Sequence, residues 1–434
     1  MRSGQIALLG LGLITATVIG WMILSGGGRA AQSDTFAPRT SANELTISPT
    51  TTAPELEAPA STSTSAAITT TTMPPPVRGS ELFVSPDGVD RPEGGWNIDD
   101  PLRTPAFAVA VSQPGDTIYV LPGTYDPLTI SSRENLAVKA FSGEAIFTSG
   151  SYDQLAAVLI EDSADIVVEG LRAQRSLWGL RVSNSRDVTL RGNEVIDIGQ
   201  EAIHVLDKSH DVRVEDNIID TTGQRPGGNG RFDFADFGEG IYLGTGGLLD
   251  NGEVDDVSNV VVTGNTVANT TAEAIEIKAS VYNVVVANNI VRDVDVHSGA
   301  AISIGRGERH YDANVVVEGN AIWNVSTRNP WADGIGVRVS SPAIVRNNVI
   351  FNVAHFGIRV DDELRAVDGE VVVQNNLVFN NGREAFIDES VGSDVPVAES
   401  GTISGDEAVS LLAELDQNEA TPAIEVLLAH LESL

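Results

Sequence analysis

The chain reads as all-β, a single-stranded right-handed parallel β-helix, and three observations predict it. A short unit recurs along most of the sequence, asparagine holds one fixed place in that unit, and a second apolar strand follows each asparagine at a regular interval. The unit runs as a β-branched stretch, Gly-Asn or Asn-Asn, an apolar residue, a short polar turn, and then a small residue with Ile and Val. Its copies include VTLRGNEV, VRVEDNII, VVVTGNTV, VVVANNIV, VVVEGNAI, AIVRNNVI and VVVQNNLV.

Before the repeats, residues 6–24 are almost wholly apolar and uncharged, long enough to reach across a bilayer. Residues 1–28 are therefore read as an N-terminal transmembrane anchor or signal segment. This places the rest outside the cytoplasm, single-pass at the cell membrane, or secreted if the segment is cleaved. Residues 29–78, rich in Thr, Ser and Pro, form an expected disordered stalk. Residues 1–78 hold four acids and four bases, so the whole formal charge of −33 falls on residues 79–434. Nucleic acid is excluded as a natural partner of so acidic a surface. Cysteine is absent, so neither disulfides nor thiolate metal sites hold the domain, which is expected to be monomeric.

The β-helix is expected over residues 79–397. A short helix at 105–112 caps its open N-terminal end, and an acidic helical tail without Lys or Arg occupies 398–434. The repeated asparagines are Asn193, Asn217, Asn265, Asn289, Asn320, Asn348 and Asn376, with steps of 24, 48, 24, 31, 28 and 28. Each step suits one coil except the doubled one, which is expected to hold an extra coil plus an insertion between Asp220 and Asn259. Stacked in register, the asparagines form a hydrogen-bonded ladder at the turn. The second strands, such as Gly240-Ile-Tyr-Leu and Ala274-Ile-Glu-Ile, point Ile and Val inward. Their outward residues then form columns: Arg181, His204, Tyr242, Glu276, Ser303, Gly336 and Arg359 in one, Lys278, Arg338 and Asp361 in the next. Glu201, Glu239 and Glu273 precede the small residue and make an acidic edge.

The densest chemistry falls at Thr271-Ala-Glu-Ala-Ile-Glu-Ile-Lys278, with Glu239 one coil earlier and Asp233 and Asp236 in the neighbouring insertion. Glu239, Glu273 and Glu276 offer oxygen-only ligands, which suit Ca²⁺; no His pair or cysteine cluster supports zinc. The chain uses only three lysines, Lys139, Lys208 and Lys278, and Lys278 alone falls on a repeat strand facing outward. His204, Tyr242, Arg338, Arg359 and Asp361 are candidates to line a sugar-binding groove, although Arg338, Arg359 and Asp361 have the alternative of pairing with one another. Trp323, Trp331 and the insertion 223–237 are candidate walls.

The opening FVSPDG…PLRTPAFAVAVSQPGDTIYVLPGTY, within residues 81–125, resembles the start of secreted pectate-lyase-like β-helix proteins, and the coil repeats extend the likeness to about Glu389. The 271–278 segment is similar to calcium-dependent β-helix lyases of the chondroitinase B and alginate lyase family. That resemblance implies Glu273 and Glu276 as calcium ligands, Lys278 as the base and Arg306 one coil later. Three departures stand out: the two glutamates are three apart, Tyr242 stands where an asparagine ligand would be sought, and Arg306 falls one place beyond the Lys278 column. A second resemblance, to β-helix pectate lyases with an acid-Gly-apolar-x-x-Lys strand, matches Glu273 and Lys278, with alanine for the glycine. The function expected is β-elimination of a uronic-acid polysaccharide. The alternatives are a glycoside hydrolase using Glu239 and Glu276, or a glycan-binding adhesin without catalysis.

Overall fold

In a computed structural model, the structure describes residues 80–226, 238–246, 249, 252–296, 299–306, 314–327, 334–361, 369–390 and 396–405. The apolar segment, the stalk, Asp233, Asp236, Trp331 and the tail from 406 lie outside these residues. Among the described residues no helix is long and apolar enough to cross a membrane.

Three parallel sheets of twelve, ten and eleven strands stack side by side along the described chain, each strand pairing with its equivalents one coil away. Val, Ile and Leu alternate into one continuous core running from Leu82 to Val378, because in-register stacking superimposes the inward residue of every coil. The helix Pro105–Val111 starts from Thr104, whose hydroxyl accepts the Phe107 N–H at 3.2 Å, with proline in the first turn. It packs on the first strands and buries Pro105, Ala108 and Val109. At the far end the stack continues through Val397–Ser400 and Ile403–Ser404, which pair with Val371–Gln374 and with Leu377 and Val378.

The asparagine ladder is present from end to end. Each Nδ2 from Asn193 to Asn348 donates to the next Oδ1 at 2.9–3.0 Å, and the same Oδ1 also accepts the backbone N–H of the asparagine before it. Asn217 bonds directly to Asn265, and strand His210–Glu215 pairs directly with Ser258–Thr263. The doubled step is thus a single coil with two long connections, 221–240 and 244–257, not two coils. Strand Ile241–Leu243 is that coil's middle strand rather than part of an extra turn. Insertions leave the repeat intact because only strand positions must align between neighbours.

Candidate active site

The middle strands Ile203–Leu206, Ile241–Leu243 and Ile275–Lys278 lie side by side in the ten-stranded sheet, so the residues of equal rank on them stack. Arg181, His204, Tyr242, Glu276, Ser303, Arg338 and Arg359 form one outward column. Arg338, not Gly336, occupies the place opposite Ser303. Strand Ile335–Val339 is set two residues further along than its sequence suggests, since Ile335 pairs with Ala300. A bulge between Ile277 and Lys278, opposite Gly305 with φ +78°, brings Lys278 into register with Arg306. The one-place offset seen in the sequence is therefore absorbed by the backbone.

The acidic edge is as closely stacked. Ala202 N–H donates to the Glu239 carbonyl at 3.0 Å and Gly240 N–H to the Glu273 carbonyl at 3.1 Å, which sets Glu201, Glu239 and Glu273 one above another. Glu276 points out of the next strand toward the same place. Glu239, Glu273 and Glu276 each contribute a carboxylate oxygen to a group in which all three lie within 4.8 Å of one another, and all three residues are buried. Gly299, at φ +117°, makes room: a Cβ there would fall 2.1 Å from Glu273 Oε1. The Gly238 N–H donates to Glu239 Oε2 at 2.9 Å.

Burial, followed by repulsion from Glu201, Glu276 and Glu273, pushes the Glu239 carboxyl well above the usual carboxylate range. Glu201 is raised as well, chiefly by burial, and its Oε2 has no hydrogen-bond partner among the described residues. Glu201 stands beside the three and adds to the repulsion on Glu239. Its place in the repeat, equivalent to that of Glu239 and Glu273, is the signal that marks it in the sequence.

Lys278 Nζ meets Glu276 Oε1 at 2.5 Å and stands 5.1 Å from the centroid of the Tyr242 ring. Gly246 lies over both tips, since a Cβ there would be 3.8 Å from Lys278 Nζ and from the Tyr242 hydroxyl. Burial and the surrounding glutamates raise the Tyr242 phenol, so it stays protonated. His204 lies against Tyr242 with ring centroids 4.6 Å apart and planes tilted by 60°, and its Nε2 faces the Gly244 carbonyl at 3.2 Å. Burial and the Arg181 charge push His204 down to about 3, so its imidazole is neutral at physiological pH.

Glu239, Glu273, Glu276, Lys278, Tyr242 and His204 are thus brought together. Two coils further on, Arg338 and Asp361 form a buried ion pair, joined by Ser340 Oγ at 3.3 Å from Asp361 Oδ2. Arg359 pairs with Glu389 at 2.6 Å. Arg306 closes strand Ala300–Arg306; its side chain lies outside the described residues. Three carboxylates with oxygens within 4.8 Å of one another, and the Lys278 amine against one of them, can bind a divalent cation or hold protons.

Residues 253–400 match the family model described as "Right handed beta helix region". A pectate lyase, PEL9 of Emericella nidulans, is 35% identical over 83 residues, which is 18% of this chain and 20% of that protein, so the chain spans about a fifth of the relative's length. An alginate lyase from Paenibacillus sp. str. FPU-7 superposes with a TM-score of 0.51 at 17% identity, covering 69% of this chain and 95% of the other. Pectate lyase Pel9A gives 0.47 at 15% identity, with 75% and 77% covered. At these identities the structural likeness speaks to fold alone. By its three stacked parallel sheets, and by the family model matched over residues 253–400, the chain has a right-handed parallel β-helix fold.

Proposed function

We propose that this protein is a polysaccharide-active β-helix that cleaves a uronate-containing polymer by β-elimination, displayed outside the cytoplasm behind its N-terminal apolar segment. The observation that carries this reading is the convergence of three buried carboxylates within 4.8 Å, with Lys278 Nζ 2.5 Å from one of them. Buried carboxylates crowded in this way raise one another's proton affinity, and either protons or a cation must offset their charge. Their donor set fits calcium, which takes oxygen ligands in irregular geometry, and Glu239, Glu273 and Glu276 would hold it. Bound there, calcium would neutralise the uronate carboxylate and make the adjacent C–H more acidic.

Lys278 is the group positioned to take that proton. Its amine is a base only when uncharged, so Glu276 must release it from their ion pair for catalysis. Arg306, whose backbone is in register with Lys278 on the next coil, is assigned in this reading to the substrate's charge. Tyr242 and His204, neither of them charged, form the floor beside the lysine. The geometry needs no covalent nucleophile.

The test is to incubate the protein with polygalacturonate, alginate and chondroitin sulfate, with calcium or with EDTA, and to follow the ultraviolet absorbance of an unsaturated product end. A calcium-dependent rise is expected on one of them, falling by about 10²–10⁴ in Lys278→Ala. New reducing ends without that absorbance would replace the lyase by a hydrolase using Glu239 and Glu276. Binding with no shortening of any polymer would leave a glycan-binding protein.

A further inference from the structure

We propose that Arg181 is an anion subsite of the same groove, binding the carboxylate of a uronate residue three coil steps before the acidic centre. The lyase reading supplies the identity of the ligand, and the position of the subsite comes from the column. Arg181 stands in register with His204, His204 with Tyr242, and Tyr242 with Glu276. At about 4.8 Å per coil, Arg181 lies about 14 Å from the centre along the stack. A sugar ring in an extended polymer advances by a similar length, so a chain laid along the column brings a third neighbouring residue to the guanidinium.

Of the three arginines in this column, two are already paired, Arg338 with Asp361 and Arg359 with Glu389. Arg181 makes no ion pair within the described residues. Its guanidinium carbon lies 4.4 Å from the centroid of the Trp178 ring. The nearest acids, Glu201 and Asp207, act on it through space, and Asp207 already takes the Ser183 hydroxyl at 2.5 Å. A guanidinium set against an indole and without an ion-pair partner among the described residues suits recognition of a carboxylate. Strand Trp178–Ser183 is joined to Arg172–Gln174 and Arg186–Arg191 by short turns.

The experiment uses the full chain carrying Lys278→Ala, which leaves oligosaccharides intact, and measures binding by calorimetry. Uronate disaccharides and hexasaccharides are compared before and after Arg181→Gln, beside a sulfated neutral hexasaccharide. Arg181→Gln is expected to weaken the uronate hexasaccharide by about tenfold, or 1.4 kcal/mol, and to leave the disaccharide unchanged. Arg181→Lys, which keeps the charge but loses the fork, should fall between the two. Equal hexasaccharide affinity before and after Arg181→Gln overturns the subsite and leaves the lyase reading standing. Tighter binding of the sulfated neutral glycan overturns the carboxylate assignment, and failure of the parent to bind any uronate overturns both readings.

Discussion

Two columns of buried polar side chains run along this stack, and they treat the same problem in opposite ways. At the turn, neutral asparagines hydrogen-bond head to tail, each amide acting as donor and acceptor, and from Asn217 to Asn376 their side chains are fully buried. On the ten-stranded sheet, carboxylates of equal rank are buried just as closely but accept without donating, so stacking them adds repulsion. An amide ladder can lengthen with every coil at no electrostatic cost, whereas a glutamate ladder needs something brought in from outside. The first column belongs to folding, and the second has the character of a site.

The sharpest way to break this contrast is to cut the amide ladder at its middle. Asn265 Nδ2 donates to the Val214 carbonyl at 2.8 Å and to Asn289 Oδ1 at 3.0 Å, and its Oδ1 accepts from the N–H and Nδ2 of Asn217. Asn265→Ala strands these partners in a dry interior, each at about 1–3 kcal/mol. A loss of about 4 kcal/mol in unfolding free energy is expected by denaturant titration. A loss below about 1 kcal/mol would mean that the backbone ladders alone hold the coils.

In the acidic column the same kind of substitution should have the opposite sign. Glu239→Gln removes one of the crowded charges and adds amide donors toward its neighbours, so the calcium-free protein should gain about 1–2 kcal/mol at neutral pH. The folded state raises the Glu239 carboxyl above its unfolded value of about 4.3. The stability of the parent is therefore fully present below that unfolded value and declines as pH rises toward the folded one. The advantage of Glu239→Gln should grow with pH from about 4.3 upward and vanish below it. His204, pushed down to about 3, costs stability as pH falls below about 6.5, but it does so in both proteins and cancels from the difference. Melting curves across this range check the sign; an advantage that stays flat with pH would show that charge is not what Glu239 contributes.

The stacking direction and the asparagine ladder are legible in the sequence because both come from a repeat that shifts little between coils. The coil between Asn217 and Asn265 is misread when length is taken for coil number, since only strand positions must align. Gly336 takes the Arg338 position in the sequence alignment for a related reason: Gly-Ile-Gly-Val offers two alignments to an alternating pattern, and the pairing of Ile335 with Ala300 selects the other. The bulge at Lys278 has no signature beyond Gly305, so the alignment of Arg306 is out of the sequence's reach. Glu239, Glu273, Glu276 and Lys278 group together because their ranks in the repeat can be read off. The Arg338–Asp361 pair is one of the two alternatives the sequence leaves open, and side-chain direction, which periodicity does not supply, selects it.

The smallest effect separates burial from hydrogen bonding. A second asparagine run, Asn259, Asn283 and Asn314, lies on the surface: Asn283 Nδ2 donates to Asn259 Oδ1 at 3.1 Å, and Asn314 Nδ2 to Asn283 Oδ1 at 3.0 Å. These bonds resemble those of the buried ladder, but water can replace them, and Asn283 is retained in part for its φ of +55°. Asn283→Ala should cost about 1 kcal/mol, mostly from the left-handed backbone. Asn283→Gly, which keeps that conformation without strain, should cost only a few tenths. If both variants lost as much as Asn265→Ala, the bonds themselves rather than their burial would carry the ladder. If the two behaved alike and mildly, the backbone conformation would carry nothing. The expected order, Asn265→Ala far above Asn283→Ala and Asn283→Ala above Asn283→Gly, assigns most of the ladder's contribution to its dry interior.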